Sequence, residues 1–352
     1  MFKSVRIKNF RGIKDLTVDG LKHINIFVGD NAVGKTAVLD AVYILINPGN
    51  PQLPLRTNDW RNLGFYTSSY WKSLFYNFDT KNEIELSSEG DNKRQVQIKP
   101  RMSASKTVSP ASEISNGGNI KAGSEIEKLL NGLNISFQIA GEKYETSIEQ
   151  TAPDVANLDL NNSYKETLQG HYLNNKTYAG ELDLAEKFDG VNQEFGKEVV
   201  IEFLKTFNAG IEDIELDRYK KLLVKDGLFG NKRVPLNTYG DGIVRGLHIL
   251  LPVISKQSNI VLIDEIENGL HWSKQELVWK FILSIVKTGH QQLFITTHSK
   301  EMLEHLQKVA VKENCQDLIK VFRLQNVDNA IKLVTYDEKQ LDYAISHGEE
   351  FR

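Results

Sequence analysis

The sequence of 352 residues predicts an α/β fold with a mixed sheet near the N-terminus, a central and mostly parallel sheet, and an insertion of helices and strands. Two observations support this prediction. A glycine-rich loop lies between an apolar segment and a helical segment near the N-terminus, and short apolar segments alternate with helical segments after residue 236. Strands that alternate with helices form a parallel sheet whose faces those helices cover.

The first hundred residues predict strands on both sides of the glycine-rich loop. Apolar and polar side chains alternate in several segments, as in half-buried strands, and one helical segment follows the loop and ends before Pro48. Residues 47–70 are rich in proline, asparagine and arginine, so we expect a long loop there. The predicted strands are 2–10, 16–18, 23–28, 84–86 and 96–98, and the predicted helix is 36–46.

The middle of the chain carries no recognisable motif. Residues 101–124 are rich in serine, alanine, glycine and asparagine, which favours a mobile excursion. Residues 134–147 predict a strand pair that turns at Gly141. The chain is therefore expected to have an N-terminal part, an insertion that serves as a lid or dimerisation region, and a C-terminal part, at 1–100, 101–195 and 196–352.

After residue 180 the spacing of apolar side chains predicts helices and strands in alternation. Spacings of three or four positions mark the helices, and continuous apolar runs mark buried strands. The expected helices are 181–188, 193–207, 243–253, 273–288 and 300–311. The expected strands are 259–263 and 292–296, with a closing strand pair at 321–324 and 331–334.

Composition limits the class of protein. Apolar residues make up 40% of the chain and charged residues 25%, which is typical of a soluble globular protein. The net charge of −3 gives no general attraction to nucleic acids. The single cysteine, Cys315, excludes an intramolecular disulfide, and no segment has the character of a signal peptide or a membrane span. These observations predict a cytoplasmic protein without a membrane partner.

The glycine-rich loop matches the phosphate-binding pattern G-x-x-x-x-G-K-[ST] completely. Its glycines allow backbone N–H groups to curl around phosphate oxygens, Lys35 brings a positive charge to the β- and γ-phosphates, and Thr36 offers a hydroxyl to Mg²⁺. An apolar strand before the loop and a helix after it supply the context that a P-loop NTPase requires. The residues expected to bind the nucleotide here are Gly29, Asp30, Asn31, Ala32, Val33, Gly34, Lys35, Thr36 and Ala37.

Two carboxylates follow the apolar run Ile260–Ile263. Asp264 stands at the carboxyl end of this expected strand, the edge at which open α/β sheets bind ligands, and it is a candidate magnesium ligand. Glu265 is the candidate base that polarises the attacking water. An apolar run that ends in two acids is common by itself, and the complete phosphate loop upstream favours the functional interpretation.

A histidine follows the next apolar strand. His298 comes directly after residues 293–297, and the carboxyl ends of parallel strands meet at one edge of a sheet. We therefore expect His298 to contact the γ-phosphate or the attacking water. A lone histidine in this position would more often be an ordinary surface residue.

Five segments in order carry a resemblance to a known group of proteins. They are Ile7–Gly12, Gly29–Thr36, Leu236–Gly242, Asp264–His271 and Thr297–Ser299. In these segments the sequence resembles the ABC-type ATPases of the SMC, RecF and overcoming-lysogenization-defect group, over roughly 1–100 and 195–352. The resemblance implies an ABC-type head that hydrolyses ATP with Mg²⁺, in which Lys35, Glu265 and His298 have catalytic roles.

The segment Thr238–Gly242 stands where that group has its signature motif. Thr238 occupies the position of the usual serine, and the resemblance implies that Thr238, Gly240 and Gly242 reach the γ-phosphate of a partner's nucleotide. Two heads would then enclose two ATP molecules as a homodimer or a higher homo-oligomer. The motif is degenerate, and the glutamine usual in this group is not identified, although Gln52 is available. Slow hydrolysis, or ATP acting as a clamp, is compatible with these departures.

Three functional hypotheses remain open at this stage. In the overcoming-lysogenization-defect proteins a TOPRIM nuclease domain follows the ATPase, whereas this sequence ends at Arg352; the first hypothesis is therefore a stand-alone ATPase that controls a separate nuclease or toxin in bacterial phage defence. The second is a RecF-like clamp that binds DNA, for which the basic residues Lys93, Arg94, Lys99 and Arg101 are candidates. The third, a phosphotransferase acting on a small acceptor, is disfavoured by the signature-like segment and His298.

Overall fold

The computed structural model describes residues 1–61, 68–91, 93–106, 126–152, 155–174, 181–230, 232–328 and 330–347. The strands in this part of the chain are β1 (Phe2–Phe10), β2 (Ile13–Asp19), β3 (Ile24–Val28), β4 (Ile84–Gly90), β5 (Arg94–Lys106), β6 (Ile126–Ile139), β7 (Glu142–Ala152), β8 (Val155–Asp159), β9 (Gly170–Leu173), β10 (Ile211–Leu216), β11 (Leu222–Asp226), β12 (Arg233–Pro235), β13 (Ile260–Ile263), β14 (Gln292–Thr296), β15 (Ile319–Val327) and β16 (Ala330–Tyr336). The helices are α1 (Lys35–Ile46), α2 (Leu53–Asp59), α3 (Ser68–Lys72), α4 (Glu181–Phe195), α5 (Glu198–Phe207), α6 (Asp241–Ile254), α7 (Trp272–Val286), α8 (Lys300–Glu313) and α9 (Glu338–Ser346).

The N-terminal sheet is antiparallel and has the strand order β2-β1-β4-β5-β6-β7-β8. The expected pairing of β1 with β2 is confirmed, with Val5 opposite Val18. Along β1 the buried side chains Val5 and Ile7 alternate with more exposed neighbours, so one face of the sheet packs on the core. The strands β5 and β6 pair far beyond the segments that the sequence predicted, out to Lys106 and Ile126.

The central sheet has the order β16-β15-β3-β14-β13-β9. Its strands run parallel except for β16, which confirms the expected, mostly parallel arrangement. Ile263 lies opposite both Ile295 and Leu173, so β13, β14 and β9 end at the same edge. Residues that follow these strands are thereby brought together.

Two apolar cores cover the two faces of the central sheet. On β13, Val261 and Ile263 point into a core formed with α4 to α8, whereas Ile260 and Leu262 point into a core shared with α1 and the N-terminal sheet. The alternation of side chains along a strand produces this division. The helix α1 is therefore packed between the two sheets, and most of its residues are buried.

The prediction of a loop over 47–70 is wrong in part, because this segment contains α2 and the beginning of α3. Pro54 lies in the first turn of α2, where a missing N–H is tolerated. The buried Thr57 and Asn58 find partners in Pro54 O and Tyr70 O, at 2.7 and 2.8 Å. Polar composition predicted a loop because these tertiary partners are not visible in the sequence. Residues 62–67 lie outside the described part of the chain.

Two further differences concern the middle of the chain. The expected excursion at 101–124 begins inside β5, and its residues 107–124 lie outside the described ones. The strands β6 to β8 belong to the same sheet as β1, and β9 joins the central sheet. A small sheet of β10, β11 and β12 was not predicted. The role of 101–195 as a lid or a dimerisation region stays a prediction. No helix among the described residues is long and apolar enough to span a bilayer.

Candidate nucleotide site

The phosphate loop joins β3 to α1 through backbone conformations that glycine favours. Gly29 has φ 134°, Gly34 has φ 101°, and Ala32 between them has φ 62°. A Cβ atom on Gly29 would lie 2.3 Å from the carbonyl oxygen of Leu324, so no other residue fits there without a shift of the backbone. Left-handed positions in succession turn backbone N–H groups toward a common centre, which is a nest for an anion.

The amino end of α1 points into the same loop. Gly34 precedes the helix, and among the described residues no side chain caps this end and no acid lies in the first turn. The first N–H groups of α1 therefore remain available to an anion, and the helix dipole favours negative charge there. Lys35, Thr36 and Ala37 form the first turn of α1, directly after the loop residues Asn31 to Gly34, and their role in binding phosphate stays a prediction.

The ammonium group of Lys35 lies inside the loop. Its Nζ donates hydrogen bonds to Gly29 O at 2.7 Å and to Asp30 O at 2.8 Å, and the residue is 9% exposed. Burial lowers the pKa of Lys35, and the carboxylates of Glu265 and Asp264 oppose this shift. A cation that donates to neutral carbonyl groups at a helix amino end is well placed to exchange them for phosphate oxygens.

Thr36 and Asp264 meet at the edge of the central sheet. Thr36 Oγ1 donates to Asp264 Oδ1 at 3.1 Å, and Thr296 Oγ1 donates to the same oxygen at 2.6 Å. Burial raises the pKa of Asp264, and the two hydroxyl donors oppose the shift. A hydroxyl and a carboxylate beside a phosphate loop are hard oxygen ligands, which is the donor set that Mg²⁺ prefers. The residues present therefore fit a magnesium ion.

Glu265 has a left-handed backbone, with φ 51°. Its N–H donates to Thr296 Oγ1 at 2.8 Å, and its Oε2 accepts from Asn268 Nδ2 at 2.5 Å. For a residue other than glycine this conformation costs about 1–2 kcal/mol and persists only when its surroundings fix it. The backbone of Glu265 is thus held by the neighbouring strand β14.

His298 follows β14 at the same edge. Its Nδ1 lies 2.9 Å from Glu267 Oε1, and its backbone N–H donates to that oxygen at the same distance. The residue before it, Thr297, donates to the carbonyl of Phe27 in β3, the strand that leads into the phosphate loop. His298 therefore lies close to the loop in the sheet, with its side chain 42% exposed.

The signature-like segment lies next to the loop that follows Asp264 and Glu265. Thr238 Oγ1 donates to Pro235 O at 2.7 Å within a short 3₁₀ turn, and Gly240 precedes α6 with φ 88°. A Cβ on Gly242 would lie 3.2 Å from Gly269 O, so α6 begins in close contact with the loop after Glu265. Among the described residues, no hydrogen bond joins Thr238, Gly240 or Gly242 to residues 29–37. Their expected contact with a partner's nucleotide stays a prediction.

Comparison with known proteins identifies the family. Residues 1–130 and 120–303 match the family model described as AAA ATPase domain. The chain belongs to this family. A relative from Helicobacter pylori, named ATP/GTP phosphatase, is 28% identical over 99% of both chains. The DNA replication and repair protein RecF of Oenococcus oeni is 52% identical over 12% of this chain and 11% of its own.

The fold of this ATPase is that of an SMC head. A solved structure of an Smc head bound to the C-winged helix domain of ScpA superposes with a TM-score of 0.53 at 13% identity, covering 97% of this chain and 99% of the other. The expected α/β fold of an ABC-type head is confirmed, and the chain is an ATPase. ATP is therefore its substrate.

Sequence reasoning missed a cluster of charged residues beside the candidate metal site of the ATPase. Asp40, on α1, is 1% exposed; it forms ion pairs with Arg11, whose Nε lies 3.0 Å from Oδ2, and with Arg61, and it accepts a hydrogen bond from Tyr172 Oη at 3.1 Å. Burial lowers the pKa of Arg11 to about 10, and Asp40 opposes the shift. Thr57 Oγ1 accepts from Arg11 at 2.6 Å. Arg11 belongs to the segment Ile7–Gly12 that carried the resemblance, but nothing in its local sequence indicated these partners.

Sequence reasoning also missed an amide group in the same place. Asn174 directly follows β9, is 6% exposed, and lines a cleft of about 370 Å³ together with Thr36 and Asp264. The strand β9 is four residues long and its burial does not alternate, so no periodicity marked it. Gln52, the glutamine that the sequence left as available, directly precedes α2 and does not line this cleft. Among the described residues that line the cleft, Asn174 is the one with a side-chain amide.

Proposed function

We propose that this ATPase binds ATP with Mg²⁺ at residues 29–37 and hydrolyses it in a site that a second copy of the chain completes. The observation that carries the proposal is the contact between the hydroxyl of Thr36 and the carboxylate of Asp264, which are 228 positions apart in sequence. This contact lies beside the phosphate loop, at the edge where parallel strands end. A purely structural role would not require this hydroxyl and this carboxylate to meet beside a phosphate loop.

The proposed contacts to the nucleotide and its metal ion differ from residue to residue. The N–H groups of the first turn of α1 would donate hydrogen bonds to the phosphate oxygens, and Lys35 would turn from the carbonyls of Gly29 and Asp30 to the β- and γ-phosphate oxygens. Thr36 and Asp264 would hold the magnesium ion, and Asn174 lines the same cleft. When bound, Mg²⁺ neutralises charge on the phosphate oxygens.

Glu265 and His298 supply the groups for hydrolysis. The Glu265 carboxylate would accept a proton from the attacking water, while Asn268 and Thr296 fix its position. His298, held by Glu267, would donate a hydrogen bond near the γ-phosphate. A second copy would bring Thr238, Gly240 and Gly242. In support, a Cβ on Gly240 would meet nothing within 4 Å, so this part of the segment faces open space.

The loop assignment is tested with Lys35→Ala. Loss of a buried, charge-assisted contact to phosphate should weaken the binding of a fluorescent ATP analogue by about 10- to 100-fold. Equilibrium titration measures the affinity, and the exposed Lys14→Ala serves as a control that should bind normally. If Lys35→Ala binds and hydrolyses ATP as the unchanged chain does, the assignment is wrong.

The completed site is tested with Glu265→Gln. This variant keeps the shape of the side chain but cannot take up a proton, so turnover should fall about 100-fold or more while ATP stays bound. Light scattering should then show a dimer with ATP and a monomer without nucleotide. A variant that stays monomeric at saturating ATP contradicts the two-copy site, and one that retains full turnover contradicts the role of Glu265.

We further propose that closure of the site controls a separate effector, a nuclease or toxin, in phage defence in the bacterial cytoplasm. The support is the resemblance to the overcoming-lysogenization-defect group in five ordered segments, from Ile7–Gly12 to Thr297–Ser299. The experiment is expression of the chain with its neighbouring genes, followed by phage challenge and affinity purification of Glu265→Gln with ATP. A nuclease that co-purifies only with ATP is the expected result; protection that persists with Lys35→Ala argues against the proposal.

A second candidate is a RecF-like clamp on DNA, which the local likeness to RecF favours. A cleft of about 930 Å³ on the outer face of the N-terminal sheet also contains Arg6, Lys8, Lys99 and Lys143. However, the basic residues that the sequence singled out are paired with acids: Lys93 with Glu89, Arg94 with Glu166, Lys99 with Glu83 and Arg101 with Glu149. Fluorescence anisotropy with labelled duplex DNA, at two salt concentrations and with or without ATP, decides between the candidates.

A further inference from the structure

Arg245 connects the start of α6 with the loop that carries the candidate base. It is the fifth residue of α6 and is 5% exposed, and its Nη2 donates to Glu265 O at 3.1 Å and to Asp264 O at 3.4 Å. One guanidinium group therefore holds both carbonyls at the point where β13 ends. Both bonds come from the same nitrogen, Nη2, which the planar fork of arginine carries at a fixed angle.

The backbone that Arg245 holds is one that needs support. Glu265 has a left-handed φ of 51°, and its N–H is already fixed by Thr296 Oγ1 on β14. Arg245 fixes the other side of the same residue, at its carbonyl oxygen. The strand β14 also holds the peptide plane after Glu265, because Ile266 N–H donates to Thr296 O at 3.1 Å, and α6 adds the bond from Arg245 to the Glu265 carbonyl. These constraints set the direction of the Cα–Cβ bond, and Asn268 holds the carboxylate itself.

The first turns of α6 are in close contact with the same loop. A Cβ on Gly242 would lie 3.2 Å from Gly269 O, and a Cβ on Gly269 would lie 3.5 Å from Cγ of Arg245. Gly269 itself has φ 73°, a conformation that other residues rarely adopt. Gly242 and Arg245 therefore both lie in close contact with Gly269, in the loop that follows Glu265.

The charge of Arg245 persists despite its burial. Burial lowers its pKa to about 9, while the carboxylates of Glu267, Asp264 and Glu265 oppose the shift. The side chain is therefore a cation at neutral pH, among three acids that would otherwise repel one another. Burial of this cation costs free energy, because the guanidinium group loses its hydration. An apolar side chain at the same helix contact would avoid that cost.

We propose that Arg245 is a positioning residue that couples the signature-like segment at the start of α6 to the orientation of Glu265. Contact of a second copy with Gly240–Gly242 would then act on hydrolysis through the Arg245 fork, without Arg245 touching the nucleotide. The inference rests on the proposed role of Glu265 as the base. It adds to that role a route by which closure of the two-copy site sets the base.

The test compares Arg245→Lys and Arg245→Met in the full chain. Both should bind a fluorescent ATP analogue within about 3-fold of the unchanged chain, since Arg245 does not face the phosphate loop, while kcat should fall about 10- to 100-fold, as expected when a reacting group is displaced slightly. Arg245→Lys, which keeps the charge but not the fork, should recover only part of kcat. Thermal unfolding shows that each variant is folded.

A matched control is Arg94→Lys. Arg94 is also a buried arginine that donates to backbone carbonyls, those of Leu45 and Ile46 at the far end of α1. The Arg94→Lys variant should lower the melting temperature about as much as the Arg245 variants do, and its kcat should stay within about 3-fold of the unchanged chain. If both arginines lower kcat equally, the effect of Arg245 is a loss of general stability, and the proposal is wrong.

The decisive measurement is a double-mutant cycle with Glu265→Gln in single-turnover hydrolysis. If Arg245 acts through the base, Arg245→Met should cause almost no further loss in the Glu265→Gln background, because the group that it positions is already gone. Losses that multiply would overturn the coupling and leave the proposed role of Glu265 intact. Full turnover of Glu265→Gln alone would overturn both.

Discussion

At the scale of single residues, burial decides which charges matter. Asp40 and Asp15 are both paired with arginine, but Asp40 is 1% exposed and serves Arg11 and Arg61, whereas the side chains of Asp15 and Arg6 are 44% and 52% exposed. Coulomb attraction is screened at the surface and is strong in the interior, where an unpaired charge is also costly. The same type of ion pair therefore has different consequences at the two places.

The two aspartates give a matched prediction. Asp40→Asn leaves the buried guanidinium of Arg11 and the half-buried one of Arg61 without their carboxylate, and it should lower the free energy of unfolding by about 3–5 kcal/mol. Asp15→Asn breaks an exposed pair and should cost no more than about 1 kcal/mol. Urea unfolding of both variants at neutral pH measures the difference. Equal losses would mean that Arg11 and Arg61 find other partners when Asp40 loses its charge.

At the scale of elements, α4, α6 and β9 enclose two neutral histidines. His248 on α6 is 1% exposed, and His171 on β9 is half-buried. Burial lowers the pKa of each to about 4, with Lys187 on α4 adding to the shift and Asp183 opposing it. Arg245 adds to the shift of His248. Protonation of either histidine would place a second cation where α4 meets α6.

These histidines predict a loss of stability in acid. In the unfolded chain a histidine takes up a proton near pH 6.5, whereas in the folded chain it does so only near pH 4, so the unfolded state binds more protons between these values. Stability contributed by each group is thus complete above about pH 6.5 and falls as the pH falls toward 4. At pH 5 the loss is about 2 kcal/mol for each histidine.

The comparison of His248→Gln with the unchanged chain isolates this effect. Urea unfolding at pH 7.5 and pH 5 should show a smaller pH dependence for the variant, by about 2 kcal/mol. Altered packing lowers the stability of the variant at both pH values alike, so only the difference between the two pH values tests the titration. An identical pH dependence in both proteins would show that His248 is not buried as a neutral group in solution.

At the scale of the whole molecule, strands from both ends of the chain lie side by side in the central sheet. The strand β3, from the first thirty residues, lies between β14 and β15, with Ile24 opposite both Leu293 and Ile319. Ile24, Ile26, Phe27 and Val28 are at most 1% exposed. The N-terminal and C-terminal parts therefore share their core.

This arrangement predicts that the C-terminal half does not fold alone. A fragment of residues 181–352 lacks β3 and β9, and the four buried side chains of β3 alone contribute about 6–12 kcal/mol, which is comparable to the total stability of a domain. Circular dichroism should show no cooperative melting of the fragment, and co-expression with residues 1–174 should restore it. A fragment that melts cooperatively on its own would contradict the shared core.

The sequence by itself determined those features that depend on neighbours along the chain. The phosphate loop, the strand before it and the helix after it form one local unit, and the apolar runs before Asp264 and His298 mark buried strands. Local periodicity and glycine chemistry carry this information. The same signals gave the alternation of helices and strands, and hence the mostly parallel central sheet.

Only the tertiary structure decided which distant residues meet. Thr36 reaches Asp264, Asp40 gathers Arg11, Arg61 and Tyr172, and Arg245 holds the carbonyl of Glu265. None of these contacts has a periodic signature, because each depends on strand order and on the packing of α1 and α6. The polar residues of 47–70 suggested a loop for the same reason, since their partners lie elsewhere in the chain. A buried polar group is fixed by its partner, and the partner is a property of the fold.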